Sequence, residues 1–347
     1  MYNKQLTFAR EYRGYSQTDL ANAIPGLAQS NLSKFEKGLC VLSNEVLVKI
    51  FDFLDFPISF LDKRINIQIE NANYRRRLSV NKTDINKFES QVIMLASIID
   101  EFSEVIDWPQ FKLTQFDLEN NFNVEYVANY TRKLLKIPTG DPVRNIFNLL
   151  ESNGIITIEI DAHSKFDGVS FVTEKGIPVI IINKSFSNDR KRFTLAHELG
   201  HILMHINNPI SDIRDKEFEA NCFASEFLMP ANDIKDYLLN LKLLGLRELK
   251  QYWLTSMAAI VRRAKDLKLI DENRYKYFLI EMSRSGYSKN EPFPVYIDSP
   301  AVFINAYKMI KDELHYSDKD FSDMLRLPND FIKEIFDNKI FKLKVLV

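Results

Sequence analysis

The sequence predicts an α+β protein, mostly helical, built from several domains around one small sheet near the middle of the chain. Three observations predict it. Apolar residues recur at three- and four-residue intervals over most of the chain, the period of a helix face. Runs of β-branched residues are confined to the stretch from Ile155 to Ile182. At 347 residues the chain also exceeds what one hydrophobic core usually serves. The expected divisions are a helical domain over 1–65, a helical connector over 66–129, a domain carrying the sheet over 130–290 and a helical segment over 291–347.

In chain order, the first helices rest on Leu20, Ala21 and Ile24, then Leu32 and Phe35, then Val46, Leu47, Ile50, Phe51 and Leu54. Ser16 precedes Gln17, Thr18 and Asp19 as an N-cap with an acidic third position. Gly26 and Gly38 interrupt the period where turns belong. Residues 66–137 begin polar, with the basic run Tyr74-Arg75-Arg76-Arg77, and continue as an amphipathic helix marked by Val92, Leu95, Ala96, Ile99 and Phe102. The run could meet phosphates or simply be a solvated helix end. Strands are expected at 155–160, 169–172 and 179–182, bounded by Gly, Asp and Pro. Helices follow from Arg192 to about Ile206 and from Lys216 to Leu228, the second stopped by Pro230. Residues 253–271 form a short helical pair that reads as structural. Glu291-Pro292-Phe293-Pro294 reads as a linker, and residues 299–338 as a small helical bundle.

Composition narrows the function classes. Lys and Arg total 46 against 47 Asp and Glu, a net charge of -1, so any basic patch for nucleic acid must be local. Cys40 and Cys222 are the only cysteines and stand far apart, so no disulfide framework is readable. No stretch approaches the ~18 uninterrupted apolar residues of a membrane helix. The N-terminus lacks the apolar core and cleavage site of a signal peptide, and a reducing cytoplasm is the expected location.

Chemistry concentrates in Phe193-Thr194-Leu195-Ala196-His197-Glu198-Leu199-Gly200-His201. Histidines four apart on a helix leave one face together, so the imidazoles of His197 and His201 can reach one zinc ion. Glu198, beside the first of them, can take a proton from water at the open coordination position. Leu195, Ala196, Leu199, Ile202 and Leu203 make this a helix packed into a core. A catalytic zinc needs a third protein ligand. His205 continues the spacing, but a straight helix carries it a turn past the metal. A carboxylate on the next helix is favoured: Glu217 lies four residues before Asn221, so Glu217 can bind metal while Asn221 orients a ligand imidazole. Glu219 points elsewhere and reads as a solvated charge, and Cys222 as packing. Tyr252, His163 and Arg192 are open as donors to a developing oxyanion, Arg192 being the most structural of the three.

Arg192 to His201, followed by Glu217-x-x-Ala220-Asn221-x-Phe223-Ala224 and Phe227-Leu228-Met229-Pro230, resembles the ImmA/IrrE metallopeptidases. The resemblance spans about 130–285 and includes the Asp167-Gly168 turn. It implies a thermolysin-like zincin core with a glutamate as third ligand, and limited proteolysis of transcriptional repressors in stress responses or mobile-element induction. The expected ion is zinc, with manganese as the alternative.

Gly14 to Ala21, then Gln29-Ser30-Asn31-Leu32-Ser33-Lys34-Phe35-Glu36-Lys37-Gly38, resembles the Xre-type helix-turn-helix of phage repressors over about 3–62. This implies five helices, the third of which, about 28–36, lies in the major groove of a double-stranded operator. Gln29 and Ser30 would meet base edges, with Ser33 and Lys34 nearby, and Gln17 would contact phosphate or brace Gln29. Leu20, Ala21, Leu32 and Phe35 are core. Pro25-Gly26 lengthens the turn. Residues 1–62 carry six basic against seven acidic side chains, so dimerisation or help from Arg75–Arg77 would have to supply affinity. Two functional readings follow. One is a DNA-binding regulator that cleaves a repressor or other regulatory protein. The other is a non-cleaving helix-turn-helix factor whose zincin domain senses metal or ligand, or an antitoxin-type regulator. The intact His197-Glu198-x-x-His201 set favours the first, since a sensor has no need of Glu198 as a base.

Overall fold

The computed structural model describes residues 2–64, 82–120, 122–206, 214–287 and 290–336. The N-terminal part is α1 (Asn3–Tyr12), α2 (Gln17–Ala23), α3 (Gln29–Glu36) and α4 (Asn44–Phe53), followed by a single 3-10 turn over Ile58–Asp62. Ser16 and Asp19 close α2 with a reciprocal capping box, which satisfies two of the amides that a helix start leaves unpaired. The fifth helix implied by the repressor resemblance is thus a 3-10 turn, entered through Pro57 and left at Lys63, whose backbone is extended. The basic run Tyr74–Arg77 lies outside the described residues.

Beyond it, α5 (Lys82–Phe102) leads to α6 (Val124–Leu134) and α7 (Ile146–Glu151). Three strands follow, β1 (Ile156–Ile160), β2 (Gly168–Val172) and β3 (Pro178–Asn183), then α8 (Asn188–Met204) and α9 (Lys216–Leu228). The remainder is α10 (Ala231–Leu238), α11 (Gly245–Trp253), α12 (Met257–Asp266), α13 (Glu272–Arg284), α14 (Val302–Leu314), α15 (Asp318–Leu325) and α16 (Asn329–Phe336). Among the described residues no helix is long and apolar enough to cross a membrane.

The sheet has the order β1-β3-β2, with β3 parallel to β1 and antiparallel to β2. All six residues of β3 are buried, as a strand covered on both faces requires. Alternation decides which core each side chain joins. Val179 and Ile181 face a core shared with Ile156, Ile158, Val169 and Phe171, helix α5 and the helices at both ends of the chain. Ile180 and Ile182 face a second core built from α6 to α13. One small sheet therefore divides the protein, and each buried isoleucine stabilises its side by roughly 1.5–3 kcal/mol.

The first core joins the two ends of the chain. Arg13 reaches Asp330 through a charged hydrogen bond 3.0 Å long at Oδ1 and a shorter one at Oδ2, and the Tyr12 ring meets Phe331 edge-on at 6.2 Å. Lys63, 5% exposed, donates to the Leu325 carbonyl at 2.7 Å. The Pro-rich stretch near 291–294 is pinned: the Glu291 carboxylate accepts from Lys250 Nζ at 2.7 Å and from the backbone N–H groups of Met257 and Ala258 at the start of α12.

Candidate metal centre

α8 begins at Asn188, a turn before the sequence pattern suggests, because Ser187 holds the extended conformation of an N-cap residue. From Thr194 to Met204 every side of the helix is buried. A helix buried all round must find partners for its polar groups inside the protein. It finds them on β2 and α9. Two glycines set these approaches. A Cβ at Gly168 would stand 2.6 Å from Thr194 Cγ2 and 3.4 Å from Glu198 Cγ, so only glycine lets β2 lie this close to α8. A Cβ at Gly200 would stand 3.0 Å from Phe223 Cδ1, so Gly200 is what brings α9 against the histidines.

The result is a convergence of three donors. His201 Nε2 lies 3.1 Å from His197 Nε2 and 3.3 Å from Glu217 Oε1, and His197 Nε2 lies 3.7 Å from Glu217 Oε2. The three ligand atoms fall within 4.8 Å of one another, a group that could hold a metal ion. Zinc with ligands at 2.0–2.1 Å in a tetrahedron would set them about 3.3 Å apart. The donors match that spacing. The chemistry of the set agrees: Asn221 Oδ1, 3.0 Å from His197 Nδ1, can only accept, so the ring proton sits on Nδ1 and the Nε2 lone pair faces the carboxylate. Lone pairs gathered in this way call for a cation.

Glu198 leaves the helix beside this cluster, 6% exposed, and Ser170 Oγ donates to its Oε2 at 2.7 Å. Ser170 was not legible as a site residue, because in the run Val169-Ser170-Phe171 a lone serine reads as the solvent side of a strand. Its register partner is Ile180, whose side chain faces α8, and Ser170 is fully buried there.

His205 closes α8 without entering the donor cluster. Its Nδ1 lies 2.8 Å from His201 Nδ1, and its Nε2 lies 3.1 Å from Glu219 Oε2. Burial, with the neighbouring His201, Lys216 and His197, pushes His205 down to about 3. Glu219 corrects the sequence reading: it is 9% exposed and paired with Arg214 Nε at 2.8 Å, not a solvated charge. Cys222 also differs from a core position, for it is half-buried and lines the cleft described below. Arg192 is fully buried, donating to the carbonyls of Leu254, Arg144 and Val143, and burial lowers it to about 10. It is a structural residue. Tyr252 Oη donates to the Gly140 carbonyl at 2.8 Å, and His163 Nδ1 accepts from the Lys165 amide.

Part of the chain is similar to one known family. Residues 151–265 match the IrrE N-terminal-like domain. The IrrE N-terminal-like span runs from the end of α7 through most of α12, covers the sheet and the donor cluster, and supports a metallopeptidase-type domain. No curated protein and no solved structure matches the chain.

A cleft of about 1180 Å³ opens beside the cluster, lined among others by Phe193, Thr194, Phe218, Asn221 and Arg262. In the N-terminal helices, α3 presents Gln29, Ser30 and Lys34 exposed and Ser33 half-buried, and Gln17 at the start of α2 is half-buried. Gln29 Nε2 donates to Gln17 Oε1 at 3.2 Å, and Gln17 Nε2 to Glu36 Oε2 at 2.6 Å. Glu36 is in turn held by Arg10 through two bonds of 2.6 and 2.9 Å.

Proposed function

We propose that this chain is a zinc-dependent endopeptidase, carried to an operator by its N-terminal helix-turn-helix, that cleaves a repressor or other regulatory protein. His197, His201 and Glu217 would hold the ion, with manganese as the alternative. When bound, zinc supplies the Lewis acidity that polarises a peptide carbonyl and makes water a better nucleophile. Glu198 is the general base: its carboxylate takes the proton of the attacking water and returns it to the amine as the C–N bond breaks. Asn221 keeps His197 turned toward the ion. The cleft beside Asn221 is large enough for several residues of an extended chain.

The single observation that carries this reading is the bond from Ser170 to Glu198. It aims a buried carboxylate beside the donor cluster, where a metal sensor would have no use for one. For DNA, Gln29, Ser30, Ser33 and Lys34 form the reading face and Gln17 braces Gln29. Its balance of six basic and seven acidic residues over 1–62 calls for a homodimer on the operator. Such a regulator would work in the cytoplasm, alongside its DNA and its substrates. Glu198→Gln is the test. It keeps size and metal ligands, so zinc content should stay near wild type while cleavage of co-expressed regulators falls by orders of magnitude. Cleavage at the wild-type rate by Glu198→Gln overturns the mechanism.

A further inference from the structure

We propose that His205 and Glu219 are positioning residues that hold His201 in the one tautomer able to bind metal; this rests on the metal centre proposed above. The geometry runs from the surface inward. Arg214 donates to Glu219 Oε1 from Nε at 2.8 Å and from its second nitrogen at 2.6 Å, which holds the carboxylate as an acceptor with Oε2 toward His205. A carboxylate oxygen held as an acceptor takes its hydrogen bond from the ring nitrogen 3.1 Å away, so His205 Nε2 carries the proton. In a neutral imidazole the other nitrogen then holds a lone pair. That nitrogen, His205 Nδ1, stands 2.8 Å from His201 Nδ1, which must therefore be the donor. His201 Nε2 is left with its lone pair, directed at His197 Nε2 and Glu217. Each assignment forces the next.

The relay also accounts for a histidine that continues the four-residue spacing yet stays out of the metal cluster. Its ring lies 4.9 Å from that of His201, centroid to centroid, and its side chain is fully buried. A buried imidazole needs two partners, and these two fix the proton of a ligand. His197 has a simpler arrangement, with the Asn221 amide in direct contact.

The experiment compares wild type with His205→Leu, which removes the acceptor, and His205→Asn, whose amide oxygen can stand near the position of Nδ1. Zinc affinity is measured by competition with a chromophoric chelator, and the imidazole tautomers of the metal-free proteins by nitrogen-15 NMR. His205→Leu should bind zinc on the order of 10–100-fold more weakly. His205→Asn should stay within a few-fold of wild type, and His201 should carry its proton on Nδ1 in wild type and in His205→Asn. Equal affinity in all three proteins overturns the relay and leaves the metal centre standing. Wild type that takes up no zinc overturns the centre and, with it, this role. Should His205→Leu fail to fold, the other two proteins decide: a His201 proton on Nε2 in metal-free wild type, or an Asn variant as weak as an emptied site, overturns the proposal.

Discussion

Ser170 on β2 and Glu198 on α8 are joined by a 2.7 Å hydrogen bond in which both side chains are buried. A hydrogen bond to a charged group contributes about 1.5–3 kcal/mol. Its loss should tilt the carboxylate away from the position proposed for proton transfer, with the proposed metal ligands unmoved. Ser170→Ala should therefore lower kcat roughly tenfold or more, with KM little changed. Ser170→Thr, which keeps the hydroxyl, should recover much of the rate. A fall in zinc content to match the fall in rate would show that Ser170 acts on the fold of the site instead.

Gly168 tests the same contact from the backbone. An added Cβ would lie 2.6 Å from Thr194 Cγ2, closer than real contacts come, and a tight 3.2 Å from the Ile181 carbonyl oxygen. Gly168→Ala should cost about 1–3 kcal/mol, the range for overpacking a core. Thr194→Ser removes the methyl it meets, so the double variant should regain part of that loss. Denaturant unfolding of the four proteins gives the coupling directly. Strict additivity would place the strain at the Ile181 carbonyl alone.

How far the sequence leads depends on which force sets each feature. The strands expected at 155–160, 169–172 and 179–182 lie within a residue of β1, β2 and β3, because β-branched runs bounded by Gly and Pro report a local preference. The helix of Lys216–Leu228 ends where Pro230 makes it end. The spacing of His197 and His201 is likewise local, and the structure brings both to Glu217. Ser170 was illegible because it acts across a tertiary contact that has no period in the sequence, and Arg214 because it lies just before the helix, where no helical spacing links it to Glu219. The role of Glu219 was misread for a related reason: helical spacing turns it away from Glu217 but says nothing of His205 and Arg214 waiting on that side. The packing of Tyr12 and Arg13 against Phe331 and Asp330, over 300 positions away, is also beyond any local pattern.

That last contact has a pH dependence whose sign can be worked out. Burial pushes the Asp330 carboxyl up, but the hydrogen bond and charge of Arg13 outweigh it and hold the group below its ordinary value. A depressed carboxylate contributes its stability in full above the unfolded value, near 4, and loses it as pH falls through the folded value. Asp330→Asn should therefore be less stable than wild type at neutral pH, and the gap should close as the solution is acidified below about pH 4. Urea midpoints at neutral and acid pH measure it. A gap that is constant across this range would mean that packing around Phe331, not charge, accounts for the loss.

The N-terminal helices yield the last prediction. Glu36 is buried and doubly bonded to Arg10, so removing it would strand a buried guanidinium and damage the fold, which makes it a poor probe. Gln17 and Gln29 offer a cleaner one, because their bond lies at the surface and ties the start of α2 to the start of α3. Replacing Gln29 and Ser30 with Ala should abolish discrimination between operator and random duplex while leaving non-specific affinity nearly intact. Gln17→Ala should weaken discrimination less, since it frees Gln29 without removing it. Lys34→Ala should act differently, reducing affinity for every sequence alike and lowering the salt slope by about one. Binding titrations across a salt series on operator and random DNA separate these outcomes. A protein with no sequence preference at any salt would assign the exposed face of α3 to protein contact, and the peptidase would then reach its substrate without DNA.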